Sequence, residues 1–198
     1  MIMTTAGLIN GADSASPGQP LPPDTEILAA YVGLPGAGAP DAEHVWTAAE
    51  WNYYLDPDSH LYGGPQLRVL PVFVHDFPGD PVTLADNACD AAINLGWSFK
   101  RGRLLVVDLE TLIDPPYVIG LNRRIRERGF RMMKYGSPST INQNPAVDGG
   151  TWMALLQARR PTILPAGTVG DQWRWSSIWD LTVWSEFVYA NCGRGPRR

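Results

Sequence analysis

The stretch from Arg103 to Ser137 constrains the fold more than any other part of the chain. "RLLVVDLE" (103–110) is a short apolar run, "DPPYVIGLNRRIRERG" (114–129) is amphipathic with a helical period, and "FRMMKYGS" (130–137) is a second apolar run. Asp114 stands at an N-cap position, prolines fill the first turn and Gly129 supplies a C-terminal stop. Strand, helix and strand in so short a span make the crossover unit of a parallel sheet, which predicts an α/β fold.

Further apolar runs extend the series: "AGLING" (6–11), "ILAAYVGL" (27–34), "LRVLPVFVHDF" (67–77), "TWMALL" (151–156), "GDQWRW" (170–175) and "DLTVW" (180–184). With the two above they make eight, the number that closes a barrel. "PVTLADNACDAAINLGW" (81–97) carries apolar residues at three and four spacing and is read as a helix starting at Pro81. "DAEHVWTAAEWNYYL" (41–55) is read as another, with a capping-box pattern of Thr47 and Glu50. Residues 11–24 and 55–66 are dense in Gly, Pro and Asp and read as loops. Few residues separate the last three runs, so the expected architecture is a (β/α)8 TIM-like barrel with short or missing helices in its last third. One domain is expected over 1–190, with a flexible C-terminal tail over 191–198.

Composition narrows the function classes. At 198 residues, 44% hydrophobic and 18% charged, the chain has enough apolar surface for a substantial core. A net charge of −4 provides no basic field for nucleic acid. The arginines of "RRIRERG" (123–129) read as a solvated helix face. No apolar run reaches the length of a membrane span, and "MIMTTAGLING" lacks the basic start and apolar middle of a signal peptide. No membrane association is expected, and the location is expected to be cytoplasmic, phage-released or virion-associated. Cys89 reads as a small core residue, and Cys192 as a free thiol in the tail.

Chemistry concentrates at strand ends. In "VVDLE", Asp108 and Glu110 stand two apart, so in a strand both project to one face. At a barrel mouth such a pair would repel, raising the proton affinity of one member, which suits a general acid beside an ionised partner. An Asp-x-Glu at a strand end also serves as a turn cap or an arginine partner, and both readings stand at this level. Asp13 after "GLINGA", Asp76 in "VLPVFVHD" and Asp180 in "SIWDLTVW" fall at comparable positions. Tyr31, His75, Phe77, Tyr135, Trp152, Trp173, Trp175, Trp179 and Trp184 interleave with them, as core fillers or as platforms for a sugar ring.

Other chemistries lack their residues. His44, His60 and His75 form no metal-ligand spacing, so no metal is expected. "GLPGAGAP" (33–40) lacks the Gly-Lys-Ser/Thr ending of a phosphate loop and the third glycine of a dinucleotide fingerprint, and no Gly-x-Ser-x-Gly elbow occurs. No cofactor is expected.

In order along the chain, "NGADSAS", "VVDLE", "MKYGSPS", "TWMALL", "DQW" and "DLT" resemble the strand-end motifs of the glycoside hydrolase family 25 lysozymes and of the related glycoside-hydrolase-like domains of actinobacteria and their phages. That resemblance implies Glu110 as general acid, Asp108 as stabiliser of the charged intermediate or orienter of a substrate acetamide, and Asp13 and Asp180 as residues that position the sugar and tune those acids. It implies Tyr31, His75, Asp76, Tyr135, Trp152, Gln172 and Trp173 as substrate-binding residues and the β-1,4 link of peptidoglycan as substrate, with cell-wall glycan as partner. The second run lacks an acidic ending, the third ends "VHDF" and the seventh lacks its first aromatic. These departures leave a second expectation open, a non-catalytic glycan-binding or structural virion component of a bacteriophage, with other virion proteins as partners.

Overall fold

The computed structural model describes residues 8–14, 16–33, 45–73, 79–96, 103–109, 113–157, 159–174 and 178–194. Among them eight strands close a barrel in sequence order: β1 (Leu8–Asp13), β2 (Ile27–Val32), β3 (Arg68–Phe73), β4 (Arg103–Asp108), β5 (Phe130–Gly136), β6 (Thr151–Ala154), β7 (Gly170–Arg174) and β8 (Asp180–Ser185). Five helices accompany them: α1 (Ala48–Leu55), α2 (Pro81–Asn94), α3 (Pro115–Glu127), the single turn α4 (Pro138–Ile141) and α5 (Glu186–Asn191). The α/β barrel expected from the sequence is present. Between β6 and β7 no helix forms among the described residues, as the short spacing there predicts.

The sheet departs from an all-parallel barrel at one strand. β1 to β7 pair in parallel, whereas β8 runs antiparallel to both β1 and β7. Only a few residues join β7 to β8, and a parallel return needs a crossover of a dozen or more. The chain turns straight back instead.

Alternation along the strands sorts the core into an inside and an outside. Ile27, Ala29, Leu70, Val72, Leu104, Val106, Met133, Tyr135, Trp152 and Trp184 fill the barrel interior. Their strand neighbours Phe73, Leu105, Val107, Leu109, Phe130 and Met132 face outward and pack on α2 and α3 through Leu84, Ala88, Cys89, Val118, Leu121 and Ile125. Cys89 is the small core residue that its helical pattern predicts. On the far side Trp46, Trp51 and Tyr54, from α1 and the turn before it, cover β2 and reach Trp179.

Local signals explain where elements begin and end. Thr47 and Glu50 form the complete capping box, with the Thr47 N–H donating to Glu50 Oε2 at 2.6 Å and the Glu50 N–H to Thr47 Oγ1 at 3.3 Å. The helix therefore starts at Ala48 and not at residue 41, because a capping box marks a first turn, not a middle; residues 41–44 lie outside the described residues. Asp114 stands at the N-cap of α3 but its side chain makes no capping bond. Pro116 occupies one of the two positions whose N–H an N-cap accepts, and it has none to give. Gly129 closes the same helix at φ +83, a conformation that glycine enters without steric cost.

Two further expectations are corrected. The first strand runs 8–13, so Gly11, Ala12 and Asp13 belong to it and not to the following loop; the ladder to β8 carries extension through these small residues. Gly11 is required there, since a Cβ would lie 2.1 Å from Trp184 Nε1. The segment from 191 onward is no loose tail as far as it is described. Asn191 ends α5, Cys192 is buried against the barrel interior, and Gly193 exchanges both backbone hydrogen bonds with Val69. Arg68 bonds toward β2, Val69 toward the other edge, so alternation turns Pro71 to the β4 side, where it has no N–H to offer. Among the described residues the pairing of β3 to β4 covers Val72 and Phe73.

The arginines of 123–129 divide. Arg124 binds Asp86 of α2 through two nitrogens at 3.0 and 3.1 Å, and Arg128 joins Asp86 and Asp90, so these two clamp α3 to α2. Arg123 and Arg126 remain on the solvated face. No described helix is long and apolar enough to cross a membrane.

Candidate functional site

Parallel strands deliver their C-terminal residues to one end of a barrel, and that end carries the acids. Asp13 is the last residue of β1 and Asp108 the last of β4. Asp180 is the first residue of β8, yet it joins them, because an antiparallel strand starts where its neighbours end. Asp13 and Asp180 are direct register partners, the final pair of the β1–β8 ladder. Asp108 follows the interior residues Leu104 and Val106 at even spacing and therefore faces the same interior, while Leu109 turns outward.

Asp13, Asp180, Ser14, Ala30, Tyr31, Val72, Tyr135 and Trp152 line an open cavity at this mouth. Tyr135 and Trp152 lie with ring centroids 4.3 Å apart, and Trp184 supports Trp152 from below at 4.7 Å. The Tyr135 hydroxyl donates to Gln172 Oε1 at 2.6 Å, which fixes the phenol against β7. Gln172 is in turn held by its backbone, whose carbonyl accepts the N–H groups of Leu155 and Leu156 as the chain leaves β6.

The electrostatics are those of crowded carboxylates. Burial holds Asp13 well above the usual carboxylate range, with Asp180 and then Asp108 adding to the effect; a hydrogen bond donated by Thr182 Oγ1 at 3.3 Å acts the other way. Burial and the neighbouring carboxylates therefore favour the protonated form of Asp13. One protonated carboxyl beside ionised ones can donate to an oxygen and stabilise positive charge in the same cavity, the pairing that acetal cleavage uses. Among the described residues no group of three or more His, Cys, Asp or Glu side chains is arranged to hold a metal ion.

Of the residues singled out in the sequence, Asp13, Asp108, Asp180, Tyr31, Tyr135 and Trp152 converge on this mouth, and Gln172 supports it through Tyr135. Trp173 does not line the cavity; it falls at the irregularity of the β7–β8 register between Gln172 and Arg174. Glu110, His75 and Asp76 lie outside the described residues. Ser14, absent from the sequence-based set, lines the cavity beside Asp13. Its signal was its place in "DSAS", directly after the acid.

The fold and the mouth together define a barrel with an acidic, aromatic-lined cavity at the carboxyl ends of its parallel strands. No family model matches the chain, and no curated protein matches it. Among solved structures it is similar to a crystal structure of an uncharacterised B. stearothermophilus protein, at 18% identity and a TM-score of 0.65, over 93% of this chain and 99% of the other. Likeness at this identity carries the fold alone.

Proposed function

We propose that the protein is a glycosidase of the lysozyme type that cleaves β-1,4 links of peptidoglycan. The observation that carries this reading is the convergence of Asp13 and Asp180 on one cavity walled by Tyr31, Tyr135 and Trp152, with Asp108, from a third strand, close enough for its charge to act on Asp13. Flat aromatic walls with acceptor-rich acids suit a sugar ring.

In this reading Glu110 protonates the leaving oxygen. Asp108 stabilises the oxocarbenium-like charge or orients the acetamide of the sugar, and Asp13 and Asp180 hold the ring and keep a proton within the cluster. The test is release of new reducing ends from purified peptidoglycan by the wild type, Glu110→Gln and Asp108→Asn. Loss of at least about a hundredfold in each variant is expected, the size of a general-acid or charge-stabilising contribution. Equal turnover by wild type and Glu110→Gln would remove Glu110 from that role. Retention on insoluble peptidoglycan with no reducing ends from any of the proteins would replace cleavage by glycan binding.

A further inference from the structure

The β1–β8 ladder ends with two carboxylates set against each other. Directly opposed residues of an antiparallel pair project to one face with Cβ atoms about 4.5–5.5 Å apart, and like charges so placed destabilise the pairing. Asp13 and Asp180 are that pair, the last of the ladder among the described residues. One residue past Asp13, the Ser14 hydroxyl crosses the seam and donates to the carbonyl of Ile178, two residues before Asp180. The same oxygen accepts the Ser16 N–H at 2.9 Å, which fixes its orientation, with the Ser16 carbonyl 3.2 Å away as a second acceptor. Ser14 is 8% exposed and lines the cavity with both acids.

We propose that Ser14 is a positioning residue: its hydroxyl ties the end of β1 to the approach to β8 and thereby sets the separation of the Asp13 and Asp180 carboxyls at the mouth. A serine is suited to this because it is short enough to reach a backbone carbonyl across the seam and carries no charge of its own. The purpose of the fixed separation rests on the glycosidase reading, in which the acid cluster must keep a proton. The geometry itself is independent of substrate.

Among the described residues the groups that face Asp13 are Asp180 and the Thr182 hydroxyl on β8, Asp108 on β4, Tyr31 on β2 and Tyr135 on β5, and substitution of Ser14 alters none of their charges. The test is a 13C-carboxyl NMR titration of the aspartates in the wild type and in Ser14→Ala, Ser14→Thr and Ser14→Cys. Ser14→Ala should lower the Asp13 midpoint by about one pH unit, since a parted seam admits water and weakens the coupling. Ser14→Thr keeps the hydroxyl and should restore the wild-type value. Ser14→Cys preserves bulk with a weak donor and should follow the alanine variant, which keeps the experiment decisive if alanine does not fold. An Asp13 midpoint unchanged in folded Ser14→Ala or Ser14→Cys would overturn the proposal, as would a threonine variant that titrates like alanine. Failure of peptidoglycan cleavage with these shifts intact would overturn only the glycosidase reading.

Discussion

At the residue scale the most informative side chain outside the mouth is Asp171. It alternates with Gln172 on β7, so as Gln172 faces the interior, Asp171 turns outward and is fully buried under the segment that follows β6. Oδ2 accepts from Gln157 Nε2 at 2.7 Å, and Oδ1 has no hydrogen-bond partner among the described residues. Burial pushes its carboxyl up to about 6, against the hydrogen bond from the Gln157 side chain. A carboxyl whose folded value is raised binds more protons in the native state, so its favourable contribution is complete below pH 4 and is lost as pH rises to about 6. At ~1.4 kcal/mol per pKa unit that loss is on the order of 3 kcal/mol. Urea titrations should therefore show Asp171→Asn losing less stability than the wild type between pH 4 and 6.5. Parallel curves for the two proteins would assign the proton elsewhere.

At the element scale the barrel interior depends on two strands giving way to one tryptophan. A Cβ at Gly170 of β7 would lie 2.4 Å from Trp184 Cζ3, and the corresponding atom at Gly11 of β1 would lie 2.1 Å from its Nε1. Trp184 on β8 is thus wedged between the bare backbones of both its neighbours and braces Trp152, which forms one wall of the cavity. Overpacking of this kind costs about 1–3 kcal/mol. Gly170→Ala should lower the urea midpoint by a corresponding amount and change the near-ultraviolet circular dichroism of the Trp152–Trp184 pair. A variant with wild-type stability and spectrum would mean that Trp184 can swing aside. No local pattern announces these glycines, because the atom they make room for is far away in sequence or on another strand.

At the scale of the whole molecule, the two poles of the barrel are built differently. The mouth collects acids, whereas the opposite end is closed by α5 and the residues that follow it. Arg68 lies over the Tyr189 ring at 4.6 Å and Arg131 near the Phe187 ring at 5.7 Å, so residues at the starts of β3 and β5 hold the helix in place. Val188 and Cys192 fill the floor beneath the interior cluster. Burial pushes the Cys192 thiol far up and the Cys89 thiol up to about 12. Reaction with a disulfide reagent near neutral pH should therefore be negligible in the native protein and should reach two thiols per chain in denaturant. Rapid labelling of Cys192 alone would show that the floor opens while the rest of the barrel stays folded.

Much of this architecture was legible in the chain because its signals are local. Side-chain alternation, helical spacing, the Thr47–Glu50 box and the Gly129 stop each depend on neighbours a few residues apart, and these placed the strands, the helices and their thinning toward the C-terminus. Asp13, Asp108, Tyr31, Tyr135 and Trp152 were legible as mouth residues for the same reason, since they end or line strands whose direction is common. Closure of the barrel decided the rest. It reversed β8, which brought the first residue of that strand against the last residue of β1 and made Asp13 and Asp180 a pair. It also set Ser14 across their seam, buried Asp171 on the outer face and paired Gly193 with Val69 of β3. Those outcomes depend on which distant backbone comes alongside, and the energy that selects it is spread over the whole sheet, not written in any one segment.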